Sequence, residues 1–280
     1  MDARLRAEDL APGDRGVAAR DWSDLAVHRV AGPDDPDFAL AYAKLWSEFG
    51  PLGEMERRHV IAERIAWDPA RPPGAAALLY ELLVLRRGGA VAAMRDHSAV
   101  VRLDESGRPL PGPVVVHLSH AFVLPAERGS GLAAWLRSLP LETARRCTAA
   151  AQCEADRPIV LVAEMEPPDP ARPVRLPRLR SYERAGFLKL DPAAAPYAQP
   201  DFRELPAGVP PQPVPLSLIL RRVGREHESD MPAAEVAAVV DAIYAVYGEH
   251  TAPAVLDPLR EAARAWTGRT ASFRLLPPTA

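Results

Sequence analysis

The chain has 280 residues, enough for one large domain or two small ones, and its 48% hydrophobic content suits a globular protein with an ample core. Lys+Arg 34 against Asp+Glu 37 leaves a net charge of −3, which gives no general reason to bind nucleic acid or an anionic membrane. No apolar run approaches the ~20 residues that span a bilayer, residues 1–22 lack the apolar core of a signal peptide, and the only cysteines, Cys147 and Cys153, make no zinc site and suit reduced thiols in the cytoplasm.

Residues 1–22 mix Arg, Asp and Ala without clear periodicity and read as a mobile N-terminal arm. Leu25 to Val30 alternates as a first strand. Asp34-Asp35-Pro36 then starts a helix, carrying Phe38, Tyr42, Leu45, Trp46 and Phe49 at helical spacing until Gly50-Pro51 breaks it. A second helix runs from about Glu54 to Trp67. Trp46, Phe49 and Trp67 read as core rather than as a ligand box. Tyr80 to Leu85 and Ala90 to Leu103 form a hairpin across Arg86-Arg87-Gly88-Gly89. The polar interruption Arg95-Asp96-His97 reads as an exposed edge face or as part of a pocket wall.

Val114 to Leu124 is the next strand and Pro125 ends it. A helix from Gly131 to about Cys147 follows, kinked or divided at Pro140. Ile159 to Met165 is a near-continuous apolar strand, as at a buried central position. Leu176 to Ala185 is a short helix stopped by Gly186. Strands Phe187 to Leu190 and Leu216 to Val223 flank a proline-dense loop, Pro192 to Pro215. Two further helices, one from Asp230-Met231-Pro232 to Gly248 and one from about Ala254 to Trp266, read as an appended hairpin. The divisions are thus a 1–22 arm, a 23–225 domain and a 228–280 C-terminal helical extension.

The most informative stretch is Arg128-Gly129-Ser130-Gly131-Leu132-Ala133, set after a strand and opening a helix. Closely spaced glycines let backbone N–H groups face an anion, and the helix adds the positive end of its dipole. Alone the pattern is weak. A little over fifty residues later comes Ser181-Tyr182-Glu183-Arg184-Ala185-Gly186-Phe187. Together with the buried strand Ile159 to Glu166, these segments make residues 24–223 resemble the GNAT superfamily of acetyl-CoA-dependent N-acetyltransferases. The resemblance implies an α+β (α/β) fold with a mixed, twisted central sheet flanked by helices on both faces. It implies acetyl-CoA as co-substrate, an amine acceptor and no metal. It departs from the family at Arg175, where Asn is frequent, and Pro177 sits nearby.

The resemblance further implies that the amides of Gly129, Ser130, Gly131, Leu132 and Ala133, with Arg128, hold the diphosphate. The backbone of Phe122, Val123 and Leu124 would pair with the pantetheine arm. Tyr182 is the candidate acid for the departing thiolate, with packing of the short helix as its other reading. His117 falls where relatives place a Glu or His that deprotonates the amine, and a structural role is equally open. Strict alternation puts His117 and Ser119 on one face and His120 on the other. Glu164 and Glu166, sharing a face at the end of the apolar strand, suit a substrate ammonium or an Arg, or simply mark the exit to solvent. Tyr197, Gln199, Asp201 and Phe202 could form a lid, and Phe49 to Gly53 a cap on the acceptor site; solvated loop is the plainer reading of the former. Arg172, Arg175, Arg178, Arg180 and Arg184 could meet phosphates, although Lys44 and Lys189 are the only lysines and this arginine bias favours ordinary solvation. A non-catalytic acyl-CoA-binding module is the alternative function, and Tyr244, Tyr247 and Trp266 are candidate anchors of a homodimer.

Overall fold

The computed structural model describes residues 5–72, 74–167, 175–203, 209 and 211–280. Along the chain run β1 (Leu25–Arg29), α1 (Pro36–Phe49), α2 (Arg58–Ile65), β2 (Ala76–Arg87), β3 (Ala90–Arg102) and β4 (Val114–Val123). Then come α3 (Leu132–Ser138), α4 (Pro140–Ala150), β5 (Ile159–Met165), α5 (Arg175–Arg184), β6 (Leu188–Leu190), β7 (Ala198–Gln199), β8 (Val214–Pro215) and β9 (Ser217–Arg222). The C-terminal part holds β10 (Asp230–Pro232), α6 (Ala233–Gly248), α7 (Pro253–Thr267) and β11 (Ser272–Leu276).

Local chemistry explains several boundaries. Asp35 caps α1 by accepting from the Asp37 amide at 2.9 Å, with Pro36 in the first turn. Pro140 divides the expected long helix into α3 and α4, with Leu139 still helical at the junction. Gly186, at φ +78°, ends the turn after α5.

Nine strands form one mixed sheet in the order β1-β2-β3-β4-β5-β9-β6-β11-β10. Only β4 and β5 pair in parallel; the other ladders within it are antiparallel. Helices α1, α2, α6 and α7 cover one face, and α3, α4 and α5 cover the other. Because β2 and β3 lie inside this sandwich they are buried over nearly their whole length, as continuous apolar runs require.

Residues 5–22 do not hang free: two 3-10 turns, Ala7–Asp9 and Pro12–Ala19, dock on α3 and α4. Asp14 accepts from the Arg137 guanidinium at 2.8 and 3.0 Å, Asp9 accepts from Arg145 at 2.9 Å, and Leu10 and Ala11 are buried. Arg95, Asp96 and His97 are not an edge face, because β3 sits between β2 and β4; all three are at most 1% exposed. Residues 228–280 are not an appended hairpin. Their last strand, β11, pairs with β6, and α6 packs under the main sheet in the same core as Leu78, Val100 and Val162. Tyr244, Tyr247 and Trp266 lie buried in that core.

Candidate active site

Strands β4 and β5 pair from Val114 with Ile159 to His117 with Val162, and there the register stops. Each continues on its outer side: β4 pairs with β3 as far as Val123, and β5 with β9 as far as Met165. The two strands therefore leave a gap between Leu118–Ala121 and Glu164–Glu166. A cavity of about 700 Å³ opens at this gap. Its wall includes His117, Ser119, His120, Glu164, Glu166 and Tyr182, and the loop Phe49 to Gly53 caps it except at Gly50.

A bulge decides which side chains meet. Ser98 pairs with His117 but Asp96 pairs with His120, so Leu118 and Ser119 together oppose His97. The extra residue cancels the alternation. His117 and His120 thus share a face, where strict period two had separated them.

On that face two polar groups form. Asp96 accepts from the Tyr80 hydroxyl (2.8 Å), the His120 amide (2.8 Å) and His120 Nδ1 (2.9 Å). His120 Nε2 donates to the Glu54 carbonyl at 2.9 Å. Both ring nitrogens thus face acceptors, so the ring is an imidazolium. Burial works against that charge, but Asp96 and the Glu54 carbonyl outweigh it and raise His120 to about 9. Burial likewise opposes the Asp96 carboxylate, yet its pairing with His120 and the Tyr80 hydroxyl holds it at about 2. A group already protonated cannot act as a base at neutral pH.

The second group centres on Glu164. His117 Nε2 approaches its carboxylate at 2.8 Å, and Tyr197 donates to it at 2.6 Å. The Tyr247 hydroxyl donates as well. Burial raises the Glu164 carboxyl, and these three hydrogen bonds more than reverse it, leaving it below its ordinary value. A carboxylate on Nε2 places the imidazole proton there, so Nδ1 is the accepting nitrogen. His117 Nδ1 is buried and has no partner among the described residues. The sequence reading missed Tyr197 and Tyr247 as partners of Glu164. Its only signal was a phenol on each of two otherwise apolar or proline-rich stretches.

Glu166 does not join Glu164. It lies one residue beyond β5 and pairs with Arg175 and with Arg178 at 3.0 Å. Tyr182, on α5, packs edge-on against Phe187 at 4.9 Å and lines the cavity. Of the proposed lid, Gln199 and Phe202 line the cavity, while Asp201 is held by Arg203 at 2.7 and 2.8 Å. Arg172 and residues 204–208 lie outside the described residues.

At the glycine turn, Gly129 and Gly131 have φ of +79° and +93°, which L side chains rarely adopt. Leu124 donates to Ala92, and Phe122 and Val123 pair with Met94 and Ala93, so the other edge of this β4 segment faces the gap. Arg128 Nε donates to the Val123 carbonyl at 3.4 Å, and Leu132 N to Ser130 Oγ at 3.3 Å. Ala133 follows in the first turn of α3. The docked N-terminal segment reaches this turn: Arg20 donates to the Ser130 carbonyl, and a Cβ on Gly131 would lie 3.1 Å from Val17.

A mixed sheet covered on both faces, a glycine turn leading from β4 into α3, and the Tyr182–Phe187 segment following β5 complete the arrangement implied by the resemblance. Similar solved structures include a tandem GNAT protein from the clavulanic acid biosynthesis pathway, at 20% identity over 66% of this chain and 53% of that one, TM-score 0.33. This chain thus spans about half the length of that protein. Others are a GNAT-family acetyltransferase from Streptococcus pneumoniae (15% identity, 71% of this chain and 99% of that one, TM-score 0.35) and an acyl-CoA N-acyltransferase from Pseudomonas aeruginosa (18%, 71% and 98%, TM-score 0.33). No family model matches the chain, and no curated protein matches it by sequence. No helix among the described residues is long and apolar enough to cross a membrane.

Proposed function

We propose that this protein is an N-acetyltransferase that moves an acetyl group from acetyl-CoA to a primary amine by direct attack. The observation that carries the reading is the cavity at the β4–β5 gap, with the His117–Glu164 pair on its wall and the glycine turn at the end of β4. The diphosphate sits on the amides of Gly129 to Ala133 with Arg128 beside it, and the pantetheine arm runs along the free edge of Phe122 to Leu124. The amine enters under the Phe49–Gly53 cap. His117 Nδ1 takes its proton, and Glu164 stabilises the imidazolium. The amine nitrogen bonds to the thioester carbonyl carbon, the carbon–sulfur bond breaks, and Tyr182 offers a proton to the leaving thiolate.

Glu54 and Glu164 place two carboxyl groups on the acceptor side, which suits a cationic amine. Isothermal titration with coenzyme A and acetyl-CoA, followed by thioester consumption over a panel of polyamines, amino acids, peptides and aminoglycosides, tests the reading. Absence of coenzyme binding at high micromolar concentration would overturn it. Binding with no turnover across the panel would instead assign a non-catalytic acyl-CoA module. Tyr182→Phe is expected to leave coenzyme binding unchanged and to lower kcat by about a hundredfold at most, since a thiolate is a good leaving group.

A further inference from the structure

One buried cation in the cavity wall, Arg95, forms no ion pair among the described residues; the Asp96 carboxylate acts on its charge but is itself paired with His120. Arg95 is 1% exposed. Its guanidinium donates to the Leu136 carbonyl near the end of α3, and its Nε is buried without a partner. The carbonyl end of α3 and the Asp96 carboxylate offset part of the charge, but a buried ion without a directly bonded counter-ion is still costly in general. The other arginines nearby are accounted for: Arg137 by Asp14, Arg175 and Arg178 by Glu166.

The surroundings say which side of the reaction Arg95 serves. Along β3 the odd positions Ala93, Ala99 and Val101 face α3 and α4, whereas Asp96 faces Tyr80 and His120. Arg95 therefore stands on the helix face, opposite to the one that holds His117, His120 and Glu164. Its in-register neighbour on β4 is Ala121, whose methyl leaves the space beside it open to the cavity. Tyr182 lines the same cavity. Ser119, pushed out by the bulge, lines the same cavity, and its Oγ is buried without a partner. A cation without an ion pair and a hydroxyl without a hydrogen-bond partner, among the described residues, thus line the same cavity as Tyr182, the residue offered to the leaving thiolate.

We propose that Arg95 and Ser119 form an anion subsite on the donor side, and that it takes the terminal carboxylate of a short dicarboxylic acyl group carried by coenzyme A. The proposal rests on the acyltransferase reading and replaces acetyl by an acyl chain such as succinyl. The bonds made and broken are those of acetyl transfer; the far carboxylate is a spectator held by the guanidinium and the Ser119 hydroxyl.

Isothermal titration of the full chain with coenzyme A, acetyl-CoA and succinyl-CoA is the test. Succinyl-CoA is expected to bind the wild type at least about tenfold more tightly than acetyl-CoA, as a charge-assisted hydrogen bond predicts. In Arg95→Met that preference collapses while coenzyme A itself binds within about twofold of wild type. If acetyl-CoA and succinyl-CoA bind the wild type alike, the subsite is wrong and the acyltransferase reading stands. If coenzyme A and both thioesters fail to bind, the acyltransferase reading falls and the subsite with it. Should Arg95→Met not fold, the wild-type comparison and Ser119→Ala, which is expected to weaken succinyl-CoA only, still decide.

Discussion

Asp96→Asn is expected to lower folding stability by about 3–5 kcal/mol, the usual cost of breaking a buried ion pair from one side. Asp96 is fully buried and accepts three hydrogen bonds, two of them from His120. Asparagine presents a donor to at least one of those donors, and it leaves the His120 imidazolium with only the Glu54 carbonyl. At 2–4 °C per kcal/mol for a chain of this size, the melting temperature should fall by roughly 10 °C in calorimetry at neutral pH. A drop under about 1 kcal/mol would show that the pair is not formed. The pH dependence has a definite sign. His120 is raised from 6.5 to about 9, so its contribution is complete below pH 6.5 and is lost as pH rises through 9. Asp96 is lowered from 3.8 to about 2, so its contribution is present above pH 3.8 and is lost as pH falls through 2. The wild type should therefore lose stability between about pH 6.5 and 9, and Asp96→Asn should lack that slope.

What was legible in the sequence was local. The glycine turn and the Tyr182–Phe187 segment announce themselves through residue types within a few positions of one another. The helix starts at Asp35-Pro36 and the division at Pro140 do the same, and the structure keeps both. What was not legible depends on partners far along the chain. The N-terminal segment has no periodicity because it is held by ion pairs to Arg137 and Arg145, more than 120 residues away. Arg95-Asp96-His97 looked like an edge because nothing in β3 itself tells that β4 covers its outer side. The strand Ser272–Leu276 is short and carries no turn signal, and only its pairing with β6 makes the C-terminal helices part of the main core. The bulge at Leu118-Ser119 is a one-residue event that reverses every later side chain of β4. It brought His120 to the side of His117 and gave it a partner, Asp96, that fixes its charge. The same event separated the two histidines chemically, since one is a buried cation and the other keeps a free nitrogen.

His117→Ala is expected to lower kcat by about 10²–10⁴-fold while coenzyme A binding stays at the wild-type level. The separation follows from position. His117 is the last residue of β4 that pairs with β5, on the face shared with Tyr247 and Glu164, whereas the glycine turn lies beyond the end of the strand. Glu164→Gln should act through His117 rather than independently. Glutamine still accepts from the tyrosines, but it no longer supplies the negative charge that orients and stabilises an imidazolium. Its loss in kcat should be smaller, and the double variant should be no worse than His117→Ala, the non-additivity expected of groups acting as a unit. Steady-state kinetics with the best amine of the panel, together with melting temperatures of all three variants, separates this from a packing role. If His117→Ala keeps its kcat and loses only stability, the histidine merely satisfies a buried carboxylate, and the base must be sought in the solvent reached through the acidic wall of the cavity. A multiplicative effect in the double variant would break the pair apart as a catalytic unit. Three donors on one buried carboxylate hold it ionised and immobile, so the imidazole is oriented before the amine arrives. That prior ordering is why a single substitution at position 117 should cost more than Tyr182→Phe.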